Sequence, residues 1–138
     1  MAHTNDRETI KRLLTTKGRW AVVGLSTNPA RPAVGVSKFV QRNLGMEIIP
    51  VNLKGEDVHG AQGYKKLADI PGEIDVVDCF VNSQRVGAVV DQAIEVGAKA
   101  VWLQLGVIDE AAAARAAEAG LDVVMDTCPA IEAPRLGL

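Results

Sequence analysis

The sequence predicts an α/β protein with a single Rossmann-like, three-layer domain: a five-stranded parallel sheet with helices on both faces. Short apolar runs of strand length recur along the chain. Segments with the apolar spacing of helices separate these runs, and glycine or proline stands at most of the boundaries. Because crossovers between parallel strands are right-handed, we expect the strand order 3-2-1-4-5, with the switch point between strands 1 and 4.

The first predicted element is a helix within residues 1–17 that packs on the sheet. Asn5 and Glu8 have the spacing of a capping box, and Gly18 follows the last helical turn. The buried face of this helix consists of Ile10, Leu13 and Leu14. The first strand, residues 20–25, is apolar throughout, which is typical of a strand covered on both faces.

Four more strands alternate with helices along the rest of the chain. We expect them at residues 47–52, 74–81, 100–105 and 121–125. Pro32 suits the first turn of the second helix, and Pro50 indicates a strand position whose missing N–H faces no partner. Residues 64–69 predict a short helix, while Ser83 and Asp109 are the expected caps of the next two helices.

Composition and charge exclude several functional classes. The 138 residues include 15 basic and 17 acidic side chains, and a formal charge of −2 disfavours a general nucleic-acid binder. No apolar run approaches the roughly 18 residues of a membrane span, and the polar N-terminus does not resemble a secretion signal. We therefore expect a cytoplasmic protein. Cys79 and Cys128 stand outside any CxxC spacing, so we expect buried thiols and no metal site.

The loop after the first strand, residues 24–35, is the first candidate binding segment. Ligands of such sheets bind beyond the carboxyl ends of the strands, near the switch point. The loop contains Gly24, the small polar residues Ser26, Thr27 and Asn28, then Arg31 and Pro32. A helix N-terminus follows, whose unpaired N–H groups attract anions. The loop matches neither a Walker sequence nor GxGxxG, and an ordinary strand-to-helix turn is the alternative.

The segments that follow the next three strands complete the candidate site. After strand 2, Asn52 replaces the acid that would hold the ribose of NAD, and Lys54 suits a ribose phosphate, as in coenzyme A or NADP. A solvated lysine is the alternative. After strands 3 and 4 come Val81, Asn82, Gln104, Leu105 and Gly106. These could simply be helix caps, but four such segments converge on one edge of the sheet.

Catalytic patterns are absent from the sequence. His3 and His59 have no partner in the sequence that would orient either as a base, so we expect surface histidines. Asp75 and Asp78 lie three apart in a strand and therefore point to opposite faces. We expect a protein that is not an enzyme.

Five segments together resemble the small stand-alone CoA-binding domain proteins, which are similar to the N-terminal domain of the succinyl-CoA synthetase α-subunit. They are VVGLSTNPARPAVGVSKFV, IIPVNLKGEDVHG, IDVVDCFVNSQRV, AVWLQLGV and AGLDVVMDTC, and the resemblance spans residues 15–137. It implies that Ser26, Thr27, Asn28 and Arg31 surround the phosphates of the coenzyme. It places Lys54 on the adenosine side and Val81, Asn82, Gln104, Leu105 and Gly106 along the cleft. The synthetase uses a phosphorylated histidine of a second domain, so the resemblance implies binding and not ligase activity.

Two functions from different classes follow. The first is a module that binds coenzyme A or an acyl-CoA at the carboxyl ends of the strands, with no catalysis of its own. The alternative is a small NAD(P)-binding oxidoreductase or redox-sensing module that uses the same cleft. A third possibility is a scaffold protein whose cleft binds no ligand. The expected partner is a small nucleotide ligand. We expect no binding to nucleic acid or to a membrane, and the sequence does not decide whether the chain forms a homodimer.

Overall fold

A computed structural model describes residues 2–138 and has five parallel strands at its centre. The strands are β1 Arg19–Val23, β2 Glu47–Val51, β3 Val76–Cys79, β4 Ala100–Leu103 and β5 Asp122–Val124. The helices are α1 Arg7–Thr15, α2 Pro32–Arg42, α3 Val86–Glu95, α4 Glu110–Glu118 and α5 Pro129–Arg135. The parallel sheet and the alternation of strand and helix confirm the predicted fold class.

Helices cover both faces of the sheet, as the three-layer prediction requires. On one face, α3 and α4 pack against apolar strand residues such as Val77 and Val101. On the other face, α1, α2 and α5 pack around Trp20 and Trp102, whose ring centroids lie 5.7 Å apart. Both tryptophans are fully buried, so they belong to the core. Removing these apolar surfaces from water is the main stabilising contribution to such a fold.

The pairing of β3 is where the observed sheet departs from the expected order. The order is β2-β1-β3-β4-β5, so the strand predicted third pairs with β1 and the switch point lies between β1 and β3. In the described part of the chain, the outer edge of β2 has a single parallel bridge, between Val51 and Tyr64. The Pro50 carbonyl accepts the Tyr64 N–H on that edge at 2.9 Å. Pro50 has no N–H to offer there, which disfavours a full strand at this edge.

The starts of two helices differ from the predicted caps. Asp6, not Asn5, caps α1 by accepting the Glu8 N–H, and Asn5 instead bonds the backbone of Met125 at 2.8 and 2.9 Å. Ser83 does not cap α3, because its hydroxyl bonds the backbone of residues 106 and 108 at 3.3 and 2.9 Å. In both cases a contact with a distant strand or loop replaces a local cap.

Other local predictions have mixed outcomes. Pro32 opens α2 and Asp109 caps α4 through the Ala112 N–H, both as expected. Residues 64–69 form only a one-turn 3-10 helix, Leu67–Asp69. Helix α5 was not predicted, since Pro134 interrupts its helical pattern, although Pro129 occupies its first turn.

Candidate functional site

A cleft of about 1910 Å³ opens at the carboxyl ends of the strands. It is larger than the roughly 300–1,000 Å³ of pockets for drug-sized molecules and is wide open to solvent, which suits an elongated ligand. The predicted site residues that line it are Gly24, Ser26, Thr27, Asn28, Arg31, Pro32, Asn52, Lys54, Val81, Asn82, Gln104 and Leu105. The topology therefore brings together the segments that follow four different strands.

Gly106 is the predicted site residue that lies outside the cleft lining. Its φ of 81° places it in the left-handed region, where glycine is favoured. Its N–H donates to Asp126 Oδ1 at 2.8 Å, and its carbonyl accepts from the Ser83 hydroxyl. Gly106 thus holds the turn after β4, and its backbone hydrogen bonds are directed toward neighbouring loops.

The loop between β1 and α2 owes its shape to short local contacts. Gly24 has a φ of 96°, and a Cβ at this position would lie 2.4 Å from the Phe80 carbonyl oxygen. The Asn28 N–H donates to Ser26 Oγ at 3.3 Å, and the Ala30 N–H donates to Asn28 Oδ1 at 3.1 Å. These side chains therefore fold the loop into turns beside the cleft.

The N-terminus of α2 forms a positively polarised wall of the cleft. Arg31 precedes Pro32 and has an extended backbone, with φ −86° and ψ 136°, as the sequence predicted. Its side chain is exposed, and within residues 2–138 it forms no ion pair. The first turn of α2 contains no acidic residue that would offset the helix dipole. An anion at this position would meet both the guanidinium and the positive end of the helix.

Asn52 borders the cleft, but its side-chain amide holds two loops together. Nδ2 donates to the carbonyl oxygens of Leu25 and Glu56 at 2.9 and 3.0 Å, and Oδ1 accepts the Glu56 N–H at 2.8 Å. The amide therefore fixes the loop after β2 against the loop after β1. Its contribution to a ligand site is to position its neighbours.

Besides Lys54, the cleft is lined by charged side chains that no sequence pattern indicated. Glu56 Oε1 lies 3.8 Å from Lys54 Nζ, and Glu56 Oε2 accepts from the Thr27 hydroxyl at 2.9 Å. Lys65 and Lys66 also line the cleft, on the same side as Lys54. We call Lys54, Lys65 and Lys66 the cationic side. No sequence motif marks the two later lysines, because the bridge of Tyr64 to β2 is what brings them there.

Arg85 and Glu95 line the cleft at α3, but the end beside β4 is lined by uncharged residues. We call its lining residues, Phe80, Gln104, Cys128 and Ile131, the neutral end. Gln104 follows β4 and Lys54 follows β2, three strand positions apart, or about 14 Å at the usual strand spacing. Trp102 Nε1 donates to the Thr127 carbonyl at 2.9 Å, which holds the start of α5 beside β4. The cleft thus differs in charge along its length.

A buried carboxyl lies beneath the neutral end. Asp78 is fully buried and accepts a hydrogen bond from Gln104 Nε2. Burial raises its pKa to about 7, and the hydrogen bond from Gln104 partly opposes this increase. Burial also raises the pKa of both Cys128 and Cys79, so neither free thiol is activated as a nucleophile.

The two histidines have partners that the sequence did not reveal. His59 Nε2 lies 3.1 Å from Ser37 Oγ and 3.0 Å from the Val34 carbonyl, and His3 Nε2 lies 2.9 Å from Asn5 Oδ1. Neither lines the cleft. Among the described residues, no cluster of His, Cys, Asp and Glu could hold a metal ion. None of the helices in residues 2–138 is both long and apolar enough to cross a membrane.

Comparisons with known proteins show which family and which fold this chain resembles. The family described as a CoA binding domain matches residues 18–134. The uncharacterized protein YneT of Bacillus subtilis (strain 168) is 39% identical over 119 residues, covering 86% of this chain and 87% of that protein. The α-subunit of the ADP-forming acetate–CoA ligase II of Pyrococcus furiosus is 33% identical over 81 residues, covering 59% of this chain and 18% of that subunit. A solved structure of a hypothetical protein from Pyrococcus horikoshii OT3 has a TM-score of 0.89 and 38% identity, and covers 100% of both chains.

Proposed function

This chain belongs to the CoA-binding domain family, and we propose that it binds coenzyme A or an acyl-CoA in the cleft described above, without catalysis of its own. The observation that carries the proposal is the uneven charge of the cleft. Coenzyme A combines a phosphorylated adenosine with a long uncharged arm that ends in a thiol. A cleft with lysines beside β2 and uncharged residues beside β4 complements such a molecule.

The orientation of the ligand follows from the same charges. The phosphates lie against Arg31 and the N-terminus of α2, while the adenosine part lies toward the cationic side. The uncharged arm crosses the carboxyl ends of β1 and β3 and reaches the neutral end. The exposed Leu105 at the rim, with 63% of its surface accessible, provides apolar area for this arm.

A binding role without chemistry agrees with the groups that surround the cleft. His3 and His59 lie elsewhere and bond to other residues. The raised pKa of Cys128 leaves little thiolate at neutral pH. General acid–base or nucleophilic catalysis needs an activated group in contact with the ligand. Asp78, whose pKa is raised to about 7, is fully buried behind Gln104 and does not line the cleft.

Thermal unfolding with different nucleotides tests the proposal. A ligand that binds only the folded chain at a hundredfold excess over its Kd stabilises by about 2.7 kcal/mol, or roughly 10 °C for a chain of this size. We expect such shifts with coenzyme A or acetyl-CoA and not with NAD. Equal shifts with NAD and coenzyme A would contradict the proposal.

Glu56 favours the alternative, an NAD(P)-binding redox module. Its carboxylate lines the cleft near the end of β2, where an acid can accept from ribose hydroxyls. However, Thr27 and Lys54 already contact both of its oxygens. The variant Glu56→Gln separates the two functions. It should leave coenzyme A binding intact, whereas it should weaken binding if the ligand is NAD.

A further inference from the structure

The pair formed by Asp78 and Gln104 has no role in the function proposed so far. Asp78 lies in β3 between Val22 of β1 and Trp102 of β4, in the middle of the sheet. Gln104 directly follows β4, lines the cleft and is 4% exposed. The hydrogen bond from Gln104 Nε2 to Asp78 Oδ1 therefore connects a fully buried carboxyl to the surface of the ligand site.

A purely structural role explains this carboxyl poorly. Within the described chain, Asp78 Oδ2 is buried and has no hydrogen-bond partner. An unpaired buried carboxyl costs free energy, and an apolar side chain of similar size would pack among these neighbours without that cost. The titratable groups that interact with its charge are Cys79 on its own strand and Cys128 at the start of α5. Neither supplies a compensating positive charge.

The ionisation state of Asp78 limits which end of the Gln104 amide can face the cleft, because an ionised carboxylate only accepts hydrogen bonds whereas a protonated one can also donate. A carboxamide has a donor end and an acceptor end, and only one of them can bond to Asp78. An ionised Asp78 accepts from Gln104 Nε2, as observed, which leaves Oε1 for the cleft. A protonated Asp78 can instead donate to Oε1, and a half-turn of the amide then presents the N–H groups to the cleft.

We propose that Asp78 and Gln104 together determine which sulfur end of coenzyme A the cleft prefers, the free thiol or the acyl thioester. This proposal rests on the proposed function. With Asp78 ionised, Gln104 offers an acceptor that suits a thiol S–H and opposes a thioester carbonyl. With Asp78 protonated, Gln104 offers a donor that suits the thioester carbonyl. Gln104 contacts the ligand, and Asp78 acts through it as a positioning residue.

The raised pKa of Asp78, about 7, places this change within the range of ordinary buffers. The test is calorimetric titration of the whole chain with coenzyme A and with acetyl-CoA at about pH 5.5 and about pH 8. These two pH values lie on either side of the pKa of Asp78. Because both ligands contain the same phosphates, the ratio of their Kd values cancels the titration of those phosphates. We expect this ratio to shift toward acetyl-CoA at the lower pH by roughly three- to tenfold, the effect of one hydrogen bond.

Two variants test the origin of this shift. In Asp78→Asn, the side chain does not titrate and can bond either end of Gln104, so the Kd ratio should no longer depend on pH. In Gln104→Met, which has a similar shape but no amide, the dependence should also disappear although Asp78 remains. Urea unfolding of each variant confirms that the measured protein is folded.

The outcomes distinguish this inference from the proposed function. If the wild-type chain binds coenzyme A with a ratio independent of pH, or if both variants retain the wild-type shift, the role of the pair is overturned and coenzyme A binding stands. If the wild-type chain binds neither ligand at about 1 mM, where even weak specific binding is detectable, the proposed function fails and this inference fails with it.

Discussion

Replacing Asp78 with asparagine should change how the free energy of unfolding depends on pH. Burial raises the pKa of Asp78 from an ordinary value of 3.8 to about 7 in the folded chain. Between these values the folded chain holds a proton that the unfolded chain has released. The stability that this group contributes is therefore complete below about pH 4 and is lost as the pH rises through about 7.

The size of the effect follows from the size of the shift. Each pKa unit corresponds to about 1.4 kcal/mol, so a shift of about three units from 3.8 to about 7 corresponds to about 4 kcal/mol. Asparagine at position 78 has a similar shape and does not titrate. The stability of the wild-type chain minus that of Asp78→Asn should accordingly decrease by about 4 kcal/mol between about pH 4 and about pH 7, and stay constant at higher pH.

Urea unfolding of both proteins across this pH range measures the difference directly, since the other titrating groups contribute equally to both chains. Asp91→Asn is a matched control, because Asp91 is exposed and pairs with Arg115 on the surface of the neighbouring helix. That change should alter stability by less than about 1 kcal/mol. Stability curves of wild type and Asp78→Asn that run parallel with pH would show that the pKa of Asp78 is the same in the folded and unfolded chains.

Three further predictions concern single residues of the cleft and its surroundings. Arg31→Ala should weaken coenzyme A binding by roughly 1.5–3 kcal/mol in calorimetric titration and change apo stability by less than about 0.5 kcal/mol, and unchanged affinity would remove Arg31 from the site. Gly24→Ala should destabilise by more than about 2 kcal/mol in urea unfolding, because φ is 96° and the new Cβ would lie 2.4 Å from a carbonyl oxygen. The control Gly35→Ala, in α2 with open space around it, should be neutral or stabilising, and equal losses would contradict this reading of Gly24. Cys79 and Cys128, both buried, should react with a thiol reagent only in denaturant, and rapid native labelling of Cys128 that coenzyme A blocks would place a reactive thiol in the cleft.

The elements that the sequence predicted well depend on neighbouring residues in the chain. The first strand was recognisable because its apolar run is continuous, and Pro32 and Asp109 marked helix starts through their own backbone and side-chain chemistry. The predicted helix caps were wrong where a distant backbone group bonded the side chain instead. Asn5 and Ser83 have suitable side chains, but β5 and the loop after β4 provide the partners that they bond.

The candidate site was predictable to the extent that it depends on topology. Residues that follow parallel strands meet at one edge, so the segments beginning at Gly24, Asn52, Val81 and Gln104 line one cleft. The sequence did not reveal that the Asn52 amide faces inward to join two loops, nor that Lys65 and Lys66 border the cleft. These placements depend on loops without a regular pattern, whose conformations are determined by contacts with other segments.

The fold class, the helices on both faces and the edge of the sheet at which the cleft opens were predictable from the sequence, because apolar periodicity and strand direction are local properties. The folded chain was needed to show that β3 lies beside β1 and that one carboxyl oxygen of Asp78 has no hydrogen-bond partner among residues 2–138. An aspartate in a strand carries no sign of its ionisation state in the sequence. That state depends on desolvation by β1, β4 and α5, which only the folded chain brings around it.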